Sequence, residues 1–216
     1  MLISAIQPIS AIQMRSQSGD RPSVSLHARL RQATAESHGM LDKQFGRFDL
    51  RQRAGYRGFL EASADALLPL EAALVEAGVK HLFPDWPLRS RRRAILDDLA
   101  RVDGMVRLLA VPPPLNFGQI LGTTYVLEGS RLGARILLKV VTQSSDPVVS
   151  TTTAYLSHGS GQHLWRSFLV MLERHGATLG RTLSSEKDVI TGARQAFALF
   201  AQAAESRARE NADPAP

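Results

Sequence analysis

An all-α, multi-helix bundle is the architecture predicted for this chain, on three grounds. Apolar residues recur at i, i+3 and i+4 through most of its length, while the strict alternation of a half-buried strand is nearly absent. Glycines and prolines gather between the periodic stretches and punctuate them. The chain has 216 residues, 44% of them hydrophobic, which suffices for one core of ordinary size. Long helices joined by short connections then pack as antiparallel neighbours.

The elements follow in order. Leu26, Leu30, Thr34, His38, Leu41 and Phe45 share one stripe, which predicts a first helix over about 25–45 with Ser25 as N-cap. A second helix over about 52–77 turns Tyr56, Phe59, Leu60, Ser63, Leu67, Leu70 and Leu74 inward, and Gly78 is a suitable stop. The loop HLFPDWP, broken by its prolines, leads to a third helix over about 88–102. A Val-Pro-Pro-Pro turn at Val111 precedes a helix over about 115–141, and a polar loop follows over 142–153. A fifth helix carries Tyr155, Leu156, Leu164, Trp165, Phe168, Leu169 and Leu172, is interrupted near Gly159–Gly161, and ends near Gly176. The last helix, about 185–204, places Val189, Ala193, Ala196, Phe197 and Phe200 at helical spacing. The organisation predicted is a disordered leader over 1–24, one helical domain over 25–205, and a flexible tail over 206–216.

Composition narrows the chemistry. Cysteine is absent, which excludes disulfides, thiolate nucleophiles, Cys-ligated zinc and iron–sulfur clusters. Any metal or cofactor iron must be held by His, carboxylate, Tyr or Met. The net charge of +6 suits a basic surface, an anionic ligand or an acidic partner. Arg89, Arg91, Arg92 and Arg93 form a dense basic run that opens an amphipathic helix. No aromatics interleave with it, which argues against nucleic acid. The opening MLISAIQPISAIQ lacks a basic n-region and is interrupted by Gln7, Pro8 and Gln13, so it makes a poor signal peptide. No later stretch is apolar for the ~18 residues of a membrane span. A cytoplasmic setting is the expectation.

The helix over 115–141 carries Gly129 and Gly133 in its interior, each costing roughly 1 kcal/mol relative to alanine. Either another backbone packs closely there, or the helix bends so that something flat approaches. His38 lies on the apolar stripe of the first helix, where a histidine is by itself more often a core residue than a ligand. Asp42, at i+4 on the same face, is placed to orient its imidazole, as the partner of a ligating histidine does. Gly39 removes bulk beside the ring. His27 sits about three turns earlier and is the next candidate. His158 and His163 flank a glycine-rich break, and His175 suits the end of the fifth helix. No HExxH motif or Glu-x-x-His pair occurs.

Residues 30–42 (LRQATAESHGMLD), followed by residues 121–137 (LGTTYVLEGSRLGARIL), resemble the bacterial heme oxygenases, especially those that accompany bacteriophytochromes. RAGYRGFL (53–60), LFPDWP (82–87) and His158 with the run Trp165-Arg166-Ser167-Phe168-Leu169 lie in order between and after them. The similarity runs from about Leu26 to Phe200. It implies a fold in which heme b, both substrate and cofactor, is held between the first helix and a glycine-kinked distal helix. His38 matches the iron ligand, and Gly129 and Gly133 match the kink, where glycine lets backbone approach the porphyrin. The implied reaction opens heme to biliverdin, CO and ferrous iron with O₂. No flavin or nicotinamide fingerprint is present, so electrons would come from a ferredoxin, flavodoxin or reductase, and a bacteriophytochrome is an implied recipient of biliverdin. The chain departs from the animal-type pattern at Ser130, where those enzymes carry an aspartate, and from the frequent LGG at Ala134. Arg131 and Arg135 are candidates for the propionates, since guanidinium suits carboxylate. Phe197, with Phe117, Trp165 and Phe168, is a candidate for packing near the macrocycle. A non-catalytic heme-binding sensor, buffer or delivery protein on the same fold is the alternative.

Overall fold

Residues 25–110, 114–179 and 184–212 are described by a computed structural model, and among them every regular element is a helix. In chain order these are α1 (Leu26–Phe45), α2 (Arg53–Glu76), α3 (Val79–Leu82), α4 (Trp86–Arg89), α5 (Arg92–Arg101), α6 (Phe117–Thr142), α7 (Pro147–Thr151), α8 (Ala154–Ser157), α9 (Leu164–Gly176) and α10 (Glu186–Ala212). The helical bundle is as expected. The predicted leader over 1–24 lies outside the described residues, as do 213–216. No described helix is long and apolar enough to cross a membrane.

Local chemistry sets the ends. Ser25 caps α1 by accepting the amide of Ala28, and the carboxylate of Glu173 accepts the amides of Leu26 and His27, so α9 holds the start of α1. Asn116 and Gln119 form a reciprocal capping box at the start of α6. Pro69 lies inside α2 and lacks the N–H that would bond the carbonyl of Asp65. The amide of Leu109, from the loop after α5, takes that carbonyl instead at 3.2 Å.

α10 is the packing centre, in contact with α1, α2 and α6. Its crossing with α6 is nearly backbone on backbone. A side chain at Gly122 would collide with the carbonyl oxygen of Val189, and one at Gly192 would come within 2.6 Å of Gln119 Cα. Close backbone packing thus explains glycines in α6, but at Gly118 and Gly122 rather than at Gly129.

Three expectations change. The predicted third helix over 88–102 divides into α4 and α5 because Ser90 is extended, which turns both Arg89 and Arg91 inward, each only 2% exposed. Half of the supposed basic surface run is therefore core. The supposed loop over 142–153 contains α7, started by Pro147 at its first turn and capped by Asp146. The supposed flexible tail from 206 is still helix to Ala212. Arg207 is buried there, with its guanidinium on Asp65, Glu61 and the carbonyl of Met105.

Candidate functional site

The first half of α1 is packed and the second half is not. Leu26, Leu30 and Thr34 are buried, whereas His38, Leu41, Asp42 and Phe45, on the same stripe, are only half covered. α6 behaves alike. It is buried from Ile120 to Glu128, and beyond Gly133 and Ala134 it leaves Ile136, Leu137, Leu138 and Val140 half covered. α1 and α6 meet at Tyr125, which stands beside Thr34 and whose ring lies 6.1 Å from that of His27. Otherwise they are not a packed pair, and both rest on α10. Half-covered apolar surface on two helices with so little mutual contact is what a flat apolar ligand between them requires.

His38 stands on this uncovered part of α1. Its Nδ1 lies 3.3 Å from Asp42 Oδ2, and its ring meets Phe197 of α10 edge-on at 5.9 Å. Burial pushes the Asp42 carboxyl above its ordinary range, and the neighbouring imidazole pulls it back. With Nδ1 directed at the carboxylate, Nε2 is the nitrogen left for a ligand. A side chain at Gly39 would meet nothing within 4 Å, so the surface beside the imidazole is open. The structure thus brings together His38, Asp42 and Phe197, three of the residues proposed from sequence.

On α6 the helix continues unbroken through Gly129 and Gly133. A Cβ at Gly129 would meet only the Trp165 ring, at 3.7 and 3.8 Å, which is ordinary contact. No backbone covers it, unlike Gly122. Ser130 is exposed, and its hydroxyl donates back to the carbonyl of Leu127 at 2.9 Å. Trp165 stacks on Phe168 and meets His27 edge-on at 5.7 Å. Phe117 instead faces His175.

The two arginines proposed for carboxylate recognition part company. Arg135 is exposed and makes no ion pair among the described residues. Arg131 is engaged within the protein: its guanidinium donates to Glu128 at 3.1 Å, to the carbonyl of Arg89, and contacts His158 Nδ1 at 3.1 Å. Burial, then Arg91, then Glu128 acting the other way leave its pKa below the usual arginine range. Two groups escaped sequence reasoning. Arg31, exposed and seven residues before His38 on the same helix, acts electrostatically on both His27 and Tyr125. Glu128, 1% exposed, is paired with Arg89 at 2.8 Å. Spacing from His38 would have marked Arg31, and the i,i+3 spacing marks Arg131 beside Glu128; nothing in the sequence marks Arg89 as its other partner.

His27 is half-buried among Tyr125 and Trp165, and burial followed by Arg31 lowers its pKa. His158 is lowered to about 4 by burial, then Arg131 and Arg91. His175 bonds the carbonyl of Leu82 at 3.2 Å instead of serving its own helix end.

No family model matches the chain. A protein named heme oxygenase from Xanthomonas campestris pv. campestris (strain 8004) is 30% identical over 116 residues, 53% of this chain and 67% of that protein. The NO- and CO-bound heme oxygenase from Neisseria meningitidis shares the fold at a TM-score of 0.67 and 21% identity, over 87% of this chain and 94% of that one. Heme oxygenase-1 from the cyanobacterium Synechocystis sp. PCC6803, solved in complex with heme, matches at a TM-score of 0.62 and 17% identity, over 85% and 92%.

Proposed function

The chain belongs to the heme oxygenase family, and on that premise we propose that it cleaves heme b oxidatively to biliverdin. The observation that carries the reading is a histidine oriented by a carboxylate on the half-covered part of α1, in a chain whose α6 carries at Gly129 a position that no other backbone covers. Bound heme supplies the iron that activates O₂ and is itself the ring opened, to biliverdin, CO and ferrous iron, with electrons from an external ferredoxin, flavodoxin or reductase.

The protein's part is to bind and aim. His38 offers Nε2 to the iron, and Asp42 holds the imidazole in the one orientation that exposes that nitrogen. Phe197 backs the ring from α10, so the ligand cannot swing away along that side. Gly129 and Gly133 add no side-chain atoms of their own to the opposite face, and a bend of α6 at these residues on binding would bring peptide groups down to it. Ser130 donates its proton to Leu127, which leaves its oxygen as an acceptor for a water on the distal side. Arg135 and Arg31 are the exposed cations available to the propionates. We further assign the reaction to the cytoplasm and biliverdin delivery to a bacteriophytochrome, on the sequence likeness alone.

Titration with hemin tests the ligand. The wild-type chain should give the spectrum of a His-ligated heme, and His38→Ala should lose it while keeping its helical fold. An unchanged spectrum in His38→Ala would move the ligand to His27.

A further inference from the structure

Immediately before Gly129, α6 is gripped by a buried charge network that the chemistry described so far does not use. Glu128 accepts from Arg89 at 2.8 Å on one carboxylate oxygen and from Arg131 at 3.1 Å on the other. Arg89 reaches on to Asp85, Ser167 and the carbonyl of Leu164, which ties in α4 and α9. Arg131 closes the loop by donating to the carbonyl of Arg89. The peptide before Glu128 is held too. Its carbonyl, Leu127 O, accepts Arg91 at 3.0 Å and the Ser130 hydroxyl at 2.9 Å. Arg91 is braced by its backbone bond to Glu71 and by the Tyr155 ring under its guanidinium.

So many donors on one turn do more than compensate charge. Three guanidiniums from two parts of the chain converge on residues 127–128. The next residue is the first distal glycine, which has the least backbone restraint of its own. We propose that Arg131 is a positioning residue, not a propionate partner: with Arg91 it locks the α6 turn at Leu127–Glu128 to the Ser90 corner, and so sets where the Gly129–Gly133 backbone lies over bound heme. This rests on the heme reading above. A network that merely stabilised the fold would act on the bundle as a whole; one that positions the turn acts locally. Arg131 can also be removed without stranding a buried charge, since Arg89 still pairs Glu128.

The test uses the full-length chain with Arg131→Met, and Glu128→Gln as the variant that keeps shape while losing the shared carboxylate. Amide hydrogen exchange without hemin should speed up about tenfold at residues 129–134 while residues 118–125 of the same helix stay as in the wild type. Hemin affinity of Arg131→Met should stay within about twofold of wild type, and the ratio of biliverdin isomers formed from bound hemin should shift. Uniform acceleration along α6 with an unchanged isomer ratio would overturn the proposal, and a tenfold loss of hemin affinity in Arg131→Met would return Arg131 to the propionates. If the wild-type chain binds no hemin at all, the heme reading fails, while the exchange pattern still decides whether Arg131 restrains the Gly129–Gly133 backbone.

Discussion

His38 and Asp42 lie one turn apart, 3.3 Å between nitrogen and oxygen, and so much of the site rests on an i,i+4 spacing that the sequence displays openly. Phe197 was legible for a different reason: helical periodicity put it on the inner face of the last helix. Arg131 and Arg135 show where such reading stops. They are four residues apart, of one type, on one helix. Glu128 is a local i,i+3 partner of Arg131, but it is the tertiary partners Arg89 and His158, distant in sequence, that separate a locked guanidinium from an exposed one. His158 supports a prediction at this scale. Its pKa is about 4 in the folded chain against 6.5 when exposed, because burial and then Arg131 and Arg91 oppose its protonation. The unfolded chain therefore binds a proton first. Stability is full above about pH 6.5 and falls as the pH drops toward 4. Urea unfolding at pH 7.5 and pH 5 should show a smaller loss in His158→Asn than in the wild type; equal losses would mean that His158 does not titrate as described.

Among the elements, α6 and α10 depend most on residues that add nothing to a hydrophobic pattern. Gly118, Gly122 and Gly192 let the two backbones approach, and a methyl group at Gly122 has only the main chain of Val189 and Ala193 to press against. Gly122→Ala should destabilise the fold by about 1–3 kcal/mol, the range for overpacking a close contact. Gly129→Ala meets only a Trp165 ring at 3.7 Å and, apart from gaining helix propensity, should leave thermal stability unharmed. Thermal melts of the two variants separate these cases, and equal melting temperatures would contradict the distinction. The long helices were visible in the sequence because their stripes are long. The division of α4 from α5 was not, since Arg89 and Arg91 look like surface charge until Glu128 and the carbonyl of Leu127 arrive from elsewhere. α7 was equally hidden, being shorter than two turns and signalled only by an Asp-Pro start.

For the whole molecule, α10 is the spine on which α1, α2 and α6 are hung, and its last turns are part of that role. Arg207 carries the counter-charge for Glu61 and Asp65 of α2, and the same two carboxylates accept the amides of Met105 and Arg107 from the loop after α5. Composition made this end read as a frayed tail, because a buried arginine and a solvated one are the same letter. Ending the chain at 206 would leave both carboxylates buried without the counter-charge of Arg207, at a cost of about 3–5 kcal/mol. The truncated chain should melt well below the full one, and identical melting would mean that the cluster contributes nothing. With α10 in place, α1 and α6 are held by a common support with little contact between them, and their half-covered apolar residues are what the proposed function needs. The most direct measurement is a single turnover: purified chain loaded with hemin, then given a reductant under air and followed by absorbance and product chromatography. A heme oxygenase bleaches its Soret band and releases biliverdin; a Soret band that persists, with no biliverdin formed, would mark a heme binder that does not turn over.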